Sequence, residues 1–444
     1  MLTKHSFLLL LLIFQLASAS LAAGDLGGMA DAPDAAGSHT DAELAGADGL
    51  SDAQPVGVSP PEEDWNRTFG GNYGDGAWCL QETDDGGFIL AGNTASRGEG
   101  SDLLLLRTDG NGSVVWSRTW GGSGEDAGYF AKQTSDGGFI VTGSTGSFGM
   151  GAELLWLLKT DGNGSLLWDR TFGGFVSSSG DGGWSVDETG DGGYIVAGYT
   201  QSLSSGRKDL WLLRMDGNGS LLWEKTFGGQ GDDVGMSVLE SRDGGFIVAG
   251  RTGSFGRGGD DMWLLKTDFQ GVEIWNETIG GKQDDAAFQV VETEDGFALS
   301  GRTESGSEGR RVALVRVNGE GKKMWQKEYE GSSAASLALT LDGGFILAGR
   351  LDSEETGRDA LLIKTDSSGR EQWSMVLDGC GGDEIGTFVV QCRDGSYALA
   401  GITNSCGQGA EDAWLVKIQA EQTPQLVAEA AENGVWSETE GSPE

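Results

Sequence analysis

Histidine is nearly absent. The 444 residues hold two, His5 and His39, and both lie in the unpatterned N-terminal stretch. A fold without imidazole has no Ser-His-Asp or Cys-His nucleophile system and no His-ligated zinc, copper or haem. Carboxylates, Tyr, Lys and backbone groups are the chemistry that remains. Proline is scarce too, at 6 residues against 78 glycines, and the glycines follow no G-x-y period, which excludes collagen. Basic residues are few: 30 Lys and Arg face 68 Asp and Glu, for a net charge of -38. A surface that negative repels nucleic acid and anionic membranes, so neither is expected as a partner. What the chain does hold is apolar mass. Hydrophobic residues make up 38%, with 15 Trp and 17 Phe, enough for a large core.

Residues 1–23 read as a secretory signal peptide. Lys4 and His5 give a basic start, Phe7 to Leu16 form an apolar run too short to span a bilayer, and Ala17-Ser18-Ala19 fits a small-residue cleavage pattern. A short membrane anchor is the alternative. No later stretch has the length of a transmembrane span, so the expected location is secreted or at the cell surface. Residues 24–62, rich in Ala, Gly, Asp and Pro, read as an acidic flexible linker, and residues 420–444 as an acidic tail.

Between these ends the chain repeats itself. Trp65, Trp116, Trp168, Trp223, Trp275, Trp325 and Trp373 recur at spacings of 51, 52, 55, 52, 50 and 48. About twenty residues after each comes an Asp-Gly turn, beginning at Asp85, Asp136, Asp191, Asp243, Asp295, Asp342 or Asp394. An apolar run such as Phe246-Ile247-Val248-Ala249-Gly250 follows, then a Gly/Ser-rich loop, then a run such as Trp263-Leu264-Leu265-Lys266-Thr267-Asp268. Each copy parses into four short strands, A to D. Asp-Gly-Gly joins A to B as a hairpin, because its glycines accept positive φ. Asp161-Gly162-Asn163-Gly164 joins C to D, read as a type I′ turn in preference to a calcium loop. Four antiparallel strands per repeat, seven times over, predict an all-β fold: a single seven-bladed β-propeller spanning 63–419. Seven A-B-C sets follow an isolated D strand, Glu63 to Phe69. That N-terminal strand is expected to complete blade seven and close the ring. The rival is Asn433-Gly434-Val435-Trp436, which resembles the start of a D strand.

The combination of Asp-Gly-Gly-Phe-Ile-Val-Ala-Gly, Trp-Leu-Leu-Lys-Thr-Asp, Asn-Gly and Trp resembles the β-propeller repeats of exported archaeal and bacterial surface proteins. The resemblance covers about four-fifths of the chain. It implies the fold and leaves activity open. The sixth copy departs most, with Glu330-Gly331-Ser332-Ser333 in place of Phe-Gly-Gly and its acidic continuation.

Four sets of residues invite a functional reading. Ten residues before the Asp-Gly turns stand Asp75, Asp126, Asp181, Asp233, Asp285, Ser332 and Glu384. At the start of the innermost strand they would ring the channel mouth, either as a ligand collar with Ca2+ as the candidate cation, or as caps of their own D–A loops. A basic column in strand C, Arg107, Lys159, Arg214, Lys266, Arg316, Lys364 and Lys417, is expected to form ion pairs. A second acidic set stands five residues before it at Asp102, Asp209, Asp261, Asp359 and Asp412. The periodic Trp are packing residues. Unrepeated aromatics, Trp78, Trp184, Tyr129 and Phe175, are better ligand candidates. Strand direction places Cys380 and Cys406 on one face of blade seven, where a disulfide is expected, with no disulfide as the alternative.

The reading that fits is a non-enzymatic, exported binding or scaffold protein, expected to be a monomer with a glycan or protein ligand and no cofactor. The alternative is an endoglucanase-like glycoside hydrolase, which needs two carboxylates about 5–9 Å apart.

Overall fold

The computed structural model describes residues 59–421, apart from 97–99, 150–151, 175–179, 205–206, 307–308, 354–356 and 380. The leader, nearly all of the linker and nearly all of the tail therefore lie outside the described residues, as do Phe175 and Cys380. The described chain holds twenty-eight strands and no helix. They form seven four-stranded antiparallel sheets.

Blade one shows the plan. Strand A is Asp75–Glu82, B is Phe88–Thr94, C is Asp102–Thr108 and D is Val114–Trp120. Blade seven has A at Glu384–Gln391, B at Tyr397–Thr403 and C at Asp412–Ile418, and its fourth strand is Glu63–Phe69. Thr68 pairs with Trp414 and Phe69 with Ala413. The N-terminal strand thus closes the ring. Strand A of each blade touches strand A of both neighbours, and blade seven touches blade one in the same way.

The local patterns follow from this ring. Strands B and C are covered on both faces by adjacent blades, so Phe88–Thr94 and Leu154–Thr160 are buried throughout. That is why they read as continuous apolar runs. Strand D is outermost, and Leu166–Phe172 leaves five residues exposed and only Trp168 and Phe172 half-buried. Charged side chains such as Asp169 and Arg170 blunt this edge. The periodic Trp of strand D meets an aromatic ring at the head of the next blade's strand B: Trp65 with Phe88, Trp116 with Phe139, and so on to Trp373 with Tyr397, at 5.7–6.4 Å. Four of the pairs are edge-to-face and three are tilted, and aromatic pairs of this kind are worth about 0.5–1.5 kcal/mol each beyond burial. In the first six junctions, from Trp65 to Trp325, the same Trp lies on the last glycine of the next blade's C–D turn. A Cβ on Gly112 would come within 2.6 Å of Trp65.

Blades are also stitched through the backbone. The N–H of Asp126 donates to Ser101 O (2.7 Å), that of Asp233 to Lys208 O (2.7 Å), and that of Asp75 to Glu411 O (2.9 Å).

The C–D turn differs from expectation. A type I′ turn needs positive φ at both central residues. Gly112 is left-handed at 76°, but Gly110 is not. Asp109 N–H donates to Ser113 O and Gly112 N–H to Asp109 O. This is a three-residue hairpin loop ending in a left-handed glycine. Asp109 Oδ1 accepts the N–H groups of Asn111 and Ser113, so the turn itself occupies the carboxylate.

Cys406 is disulfide-bonded, while Cys79 and Cys392 are free, buried thiols. Burial pushes the Cys79 thiol up to about 12, so it is inert.

Candidate functional site

The acidic collar is structural in its geometry. Asp75, Asp126, Asp181, Asp233, Asp285 and Glu384 are each at most 1% exposed. Every one accepts an N–H from the D–A loop: Gly71, Gly122, Gly174, Gly229, Gly281 and Gly379, at 2.8–3.2 Å. Hydroxyls from the end of strand B add a second anchor, as from Ser96 to Asp75 (2.7 Å) and from Ser305 to Asp285 (2.6 Å). A collar that draws a ligand needs oxygens facing solvent, and these carboxylates turn inward to cap their loops. In blade six Ser332 takes the place, and its hydroxyl accepts Asp352 N–H at 3.3 Å.

The basic column pairs with the turns. All seven cations reach the Asp of their own blade's Asp-Gly turn, with the lysines at 2.7–3.5 Å. The second acidic set therefore does not serve as partner to that column. Asp102, Asp261 and Asp412 instead face Asp126, Asp285 and Asp75 across a blade junction. Their oxygens converge on the first glycine of the Gly-Gly pair. A Cβ on Gly121 would lie 2.2 Å from Asp102 Oδ1 and 2.6 Å from Asp126 Oδ2. Burial pushes Asp102, Asp261 and Asp412 up, and the facing carboxylate adds to the push. At the junction of blades six and seven, Asp359, Asp378 and Glu384 bring three carboxylate oxygens within 4.8 Å of one another. Acidic convergence is common without an ion, and Asp378 is exposed.

Blade-to-blade differences gather elsewhere, at two positions on the inner strands. One is a β-bulge in strand A. Ladder pairing skips one residue in every blade: Trp78, Tyr129, Trp184, Met236, Phe288, Ala335 and Thr387. Bulges re-aim the extra side chain, and they often sit beside functional sites. The other is the residue after the conserved-in-register glycine of strand B: Asn93, Ser144, Tyr199, Arg251, Arg302, Arg350 and Ile402. Aromatic bulge residues thus stand on blades one to three and, as Phe288, on blade five, while blades four to six carry arginine on strand B.

These side chains are held by local partners, and one pair meets across a blade junction. Trp78 Nε1 donates to Asn93 Oδ1 at 2.8 Å. Tyr129 and Trp184 stack with centroids 4.4 Å apart, and Tyr129 OH lies 3.1 Å from Ser144 Oγ. Lys208 Nζ sits 4.0 Å over the Tyr199 ring. Arg251 pairs with Asp260, Arg310 with Glu304 at 2.7 Å, Arg350 with Asp352 at 3.2 Å, and Arg358 with Asp383 at 2.8 Å. Burial pushes Glu153 up, against the Ser144 hydroxyl and Lys208. Burial also raises Glu411 to about 7, against the pull of Arg358. Carboxyls displaced in this way are what functional sites collect. Two buried donors here have no acceptor among the described residues: Trp184 Nε1 and Arg358 Nη1.

Of the residues singled out in the sequence, Trp78, Tyr129 and Trp184 all occupy the strand A bulge, three residues after the collar carboxylates of their strands, and Tyr129 and Trp184 stack on each other. The arginines were missed. Their signal was present as the one variable residue inside an otherwise uniform strand B.

No family model and no curated protein matches the chain. Among solved structures, the chain is similar to the WD40 β-propeller domain of Doa1, at 12% identity and TM-score 0.51, over 81% of this chain and 97% of that one. It is also similar to a chain of the Mitotic Checkpoint Complex, at 12% identity and TM-score 0.52, over 90% and 100%. At such identity the likeness is one of fold.

Proposed function

We propose that this protein is an exported, non-enzymatic binding or scaffold propeller whose ligand seats on the variable inner face. The observation that carries the reading is the contrast between positions. The turns, the loop caps and the strand D Trp that meets the next blade recur from blade to blade, whereas the strand A bulge and the residue after the strand B glycine differ. A ligand needs unequal blades, whereas a ring needs equal ones. Aromatic planes on blades one to three suit the face of a sugar or an aromatic side chain. Arginines on blades four to six, and donors without acceptors, suit carboxylate or carbonyl oxygens. A glycan or a loop of a protein partner combines both. Export is supported by the pattern of residues 1–23 and by the disulfide at Cys406, since such bonds persist in oxidising compartments.

The test is a glycan array and a protein capture screen run with the mature chain, with reducing-sugar release measured beside them. Binding without release is expected. Trp184→Ala should weaken it about tenfold or more, the loss of a stacking anchor, and Asp136→Asn at the opposite end should leave it unchanged. Release of reducing sugar would favour a glycoside hydrolase instead, and indifference to Trp184→Ala would remove the face from consideration.

A further inference from the structure

The ring is packed unevenly at its seam. The third residue of strand C is Trp in blades two, three, four and seven: Trp156, Trp211, Trp263 and Trp414, each at most 3% exposed. Three of these indoles lie along their own sheet and donate Nε1–H to the neighbouring strand D. Trp156 reaches Asp169 Oδ2 at 3.0 Å, Trp211 reaches Glu224 Oε2 at 3.0 Å, and Trp263 approaches Asn276 Oδ1 at 3.5 Å. Blade one has Leu104 in the place of the Trp and Ser117 in the place of the acceptor.

Removing the indole leaves room. A cavity of about 220 Å³ opens at the junction of blades seven and one, lined by Leu104, Leu106, Val114, Ser117, Thr68 and Phe69 among others. The Ser117 hydroxyl oxygen is buried there with no hydrogen-bond partner among the described residues. Blades five and six also lack the Trp, with Ala313 and Leu361. There Ile279 and Tyr329, at the end of the preceding strand D, are buried in the junction, whereas their counterpart Phe69 is only half-buried. A cavity of about 150 Å³ already accepts a benzene ring. At about 220 Å³ the seam has room for a larger one, on a lining that sets Leu104, Leu106 and Phe69 beside the polar Asp75, Thr94 and Ser96.

We propose that this junction is a binding site for an indole-type ring, a planar bicyclic aromatic whose N–H edge donates to Ser117 Oγ. Blade two displays the pose: Trp156 clusters with Leu158 of its own strand and with Leu103 and Leu105 of the preceding blade, and its N–H points to strand D. The cavity is open beside Val114, which is 52% exposed, so a ring can enter from solvent. Two sources present this chemistry. One is a free or partner-borne indole. The other is Trp436, the single Trp outside the described residues. It follows Glu421 by 15 residues, and Glu421 is held by Trp373 Nε1 and Tyr397 OH at 2.9 Å each. Fifteen residues reach about 50 Å, and a seven-residue strand is only about 23 Å long.

The probe is 5-fluoroindole, followed by fluorine NMR on the full chain and on Trp436→Ala. Saturable binding to both assigns the site to an external indole. Binding to Trp436→Ala alone assigns it to Trp436. Absence of binding to either overturns the proposal. In whichever chain binds, Leu104→Trp should abolish binding by filling the cavity. Ser117→Asp, the blade-two acceptor, should tighten it about tenfold, as expected for a charge-assisted hydrogen bond. Loss in the first variant with gain in the second cannot arise from misfolding. Binding that ignores both substitutions is elsewhere on the molecule and also overturns the proposal.

Discussion

Gly121→Ala isolates what the paired carboxylates demand of the chain. Gly121 has no left-handed φ, so alanine suits its backbone. Space is the obstacle, because the new methyl would meet Asp102 Oδ1 at 2.2 Å and Asp126 Oδ2 at 2.6 Å. Ordinary contact needs about an ångström more. Asp126 is fixed by Gly122 N–H at 3.0 Å, by Ser147 Oγ at 2.5 Å and by Thr145. Overpacking costs about 1–3 kcal/mol, and straining a hydrogen bond to a charged group adds about 1.5 more. We expect a loss of about 3 kcal/mol. Gly86→Ala is the control. Its φ is 80°, and a Cβ there meets nothing within 4 Å, so it carries the backbone penalty alone, about 1 kcal/mol. Thermal melts should fall by roughly 6–9 °C for the first and 2–3 °C for the second, at about 2–3 °C per kcal/mol for a domain of this size. Asp102→Ala should rescue Gly121→Ala in a double-mutant cycle by about 1–2 kcal/mol. Equal melting of the two glycine variants, with no rescue by Asp102→Ala, would refute the reasoning.

Three further outcomes follow from the same contacts. Asp243→Ala should cost more than Lys266→Met, by about 1–2 kcal/mol in urea midpoints after allowance for the exposed Asp243 side, because the first strands a buried ammonium and the second frees a carboxylate already at the surface. Stability should peak in mildly acidic solution. Against the push of burial, Thr134 and Lys159 hold Asp136 at about 2, and Asp191, Asp243, Asp342 and Asp394 are lowered in the same way, so their contribution is present above pH ~4 and lost as pH falls toward 2. Asp102, Asp261 and Asp412 are raised, so theirs is present below pH ~4 and lost as pH rises; the triple Asn variant should flatten that alkaline limb in melts from pH 4 to 8, and an unchanged limb would count against the pairing. Deleting residues 59–69 should expose strand C of blade seven and lower the melt far more than deleting 431–444, and the reverse order would contradict closure by Glu63–Phe69.

Much of the fold was legible because its rules are local and repeated. The Asp-Gly-Gly turn, the two-sided burial of strands B and C and the Trp of strand D each recur in phase. Even the capping role of Asp75 was readable, since Ser96, Ser147, Ser254, Ser305 and Ser405 recur about twenty-one residues after the capped positions. What did not show was long-range choice. The strand C cations had two acidic sets within reach, and nothing in their spacing says that the turn Asp wins. The strand A bulge leaves no composition signal either, because any residue can be the unpaired one, from Trp78 to Thr387. The inner arginines escaped for the same reason. Arg251, Arg302 and Arg350 sit inside strands that are otherwise uniformly apolar, so they read as interruptions of a core rather than as members of a face.

The acidity of the chain takes on a different meaning in this light. Six buried carboxylates cap D–A loops. The seven Asp of the Asp-Gly turns hold strand C cations. Asp109, Asp161, Asp216, Asp268 and Asp366 accept the N–H groups of their own C–D turns. A propeller made of tight turns needs an acceptor at each one, and this chain supplies a carboxylate nearly every time. Such charges are engaged with their own backbone and exert little selective pull on a cation. They also set the field in which the inner face works. Against a net charge of -38, an anionic group approaching from outside is repelled. The cations Lys208, Arg251, Arg302, Arg310, Arg350 and Arg358, set on blades three to six beside the aromatic blades, would then act only at contact. On the proposed reading, shape and stacking therefore act first, and the arginines select among ligands that already fit.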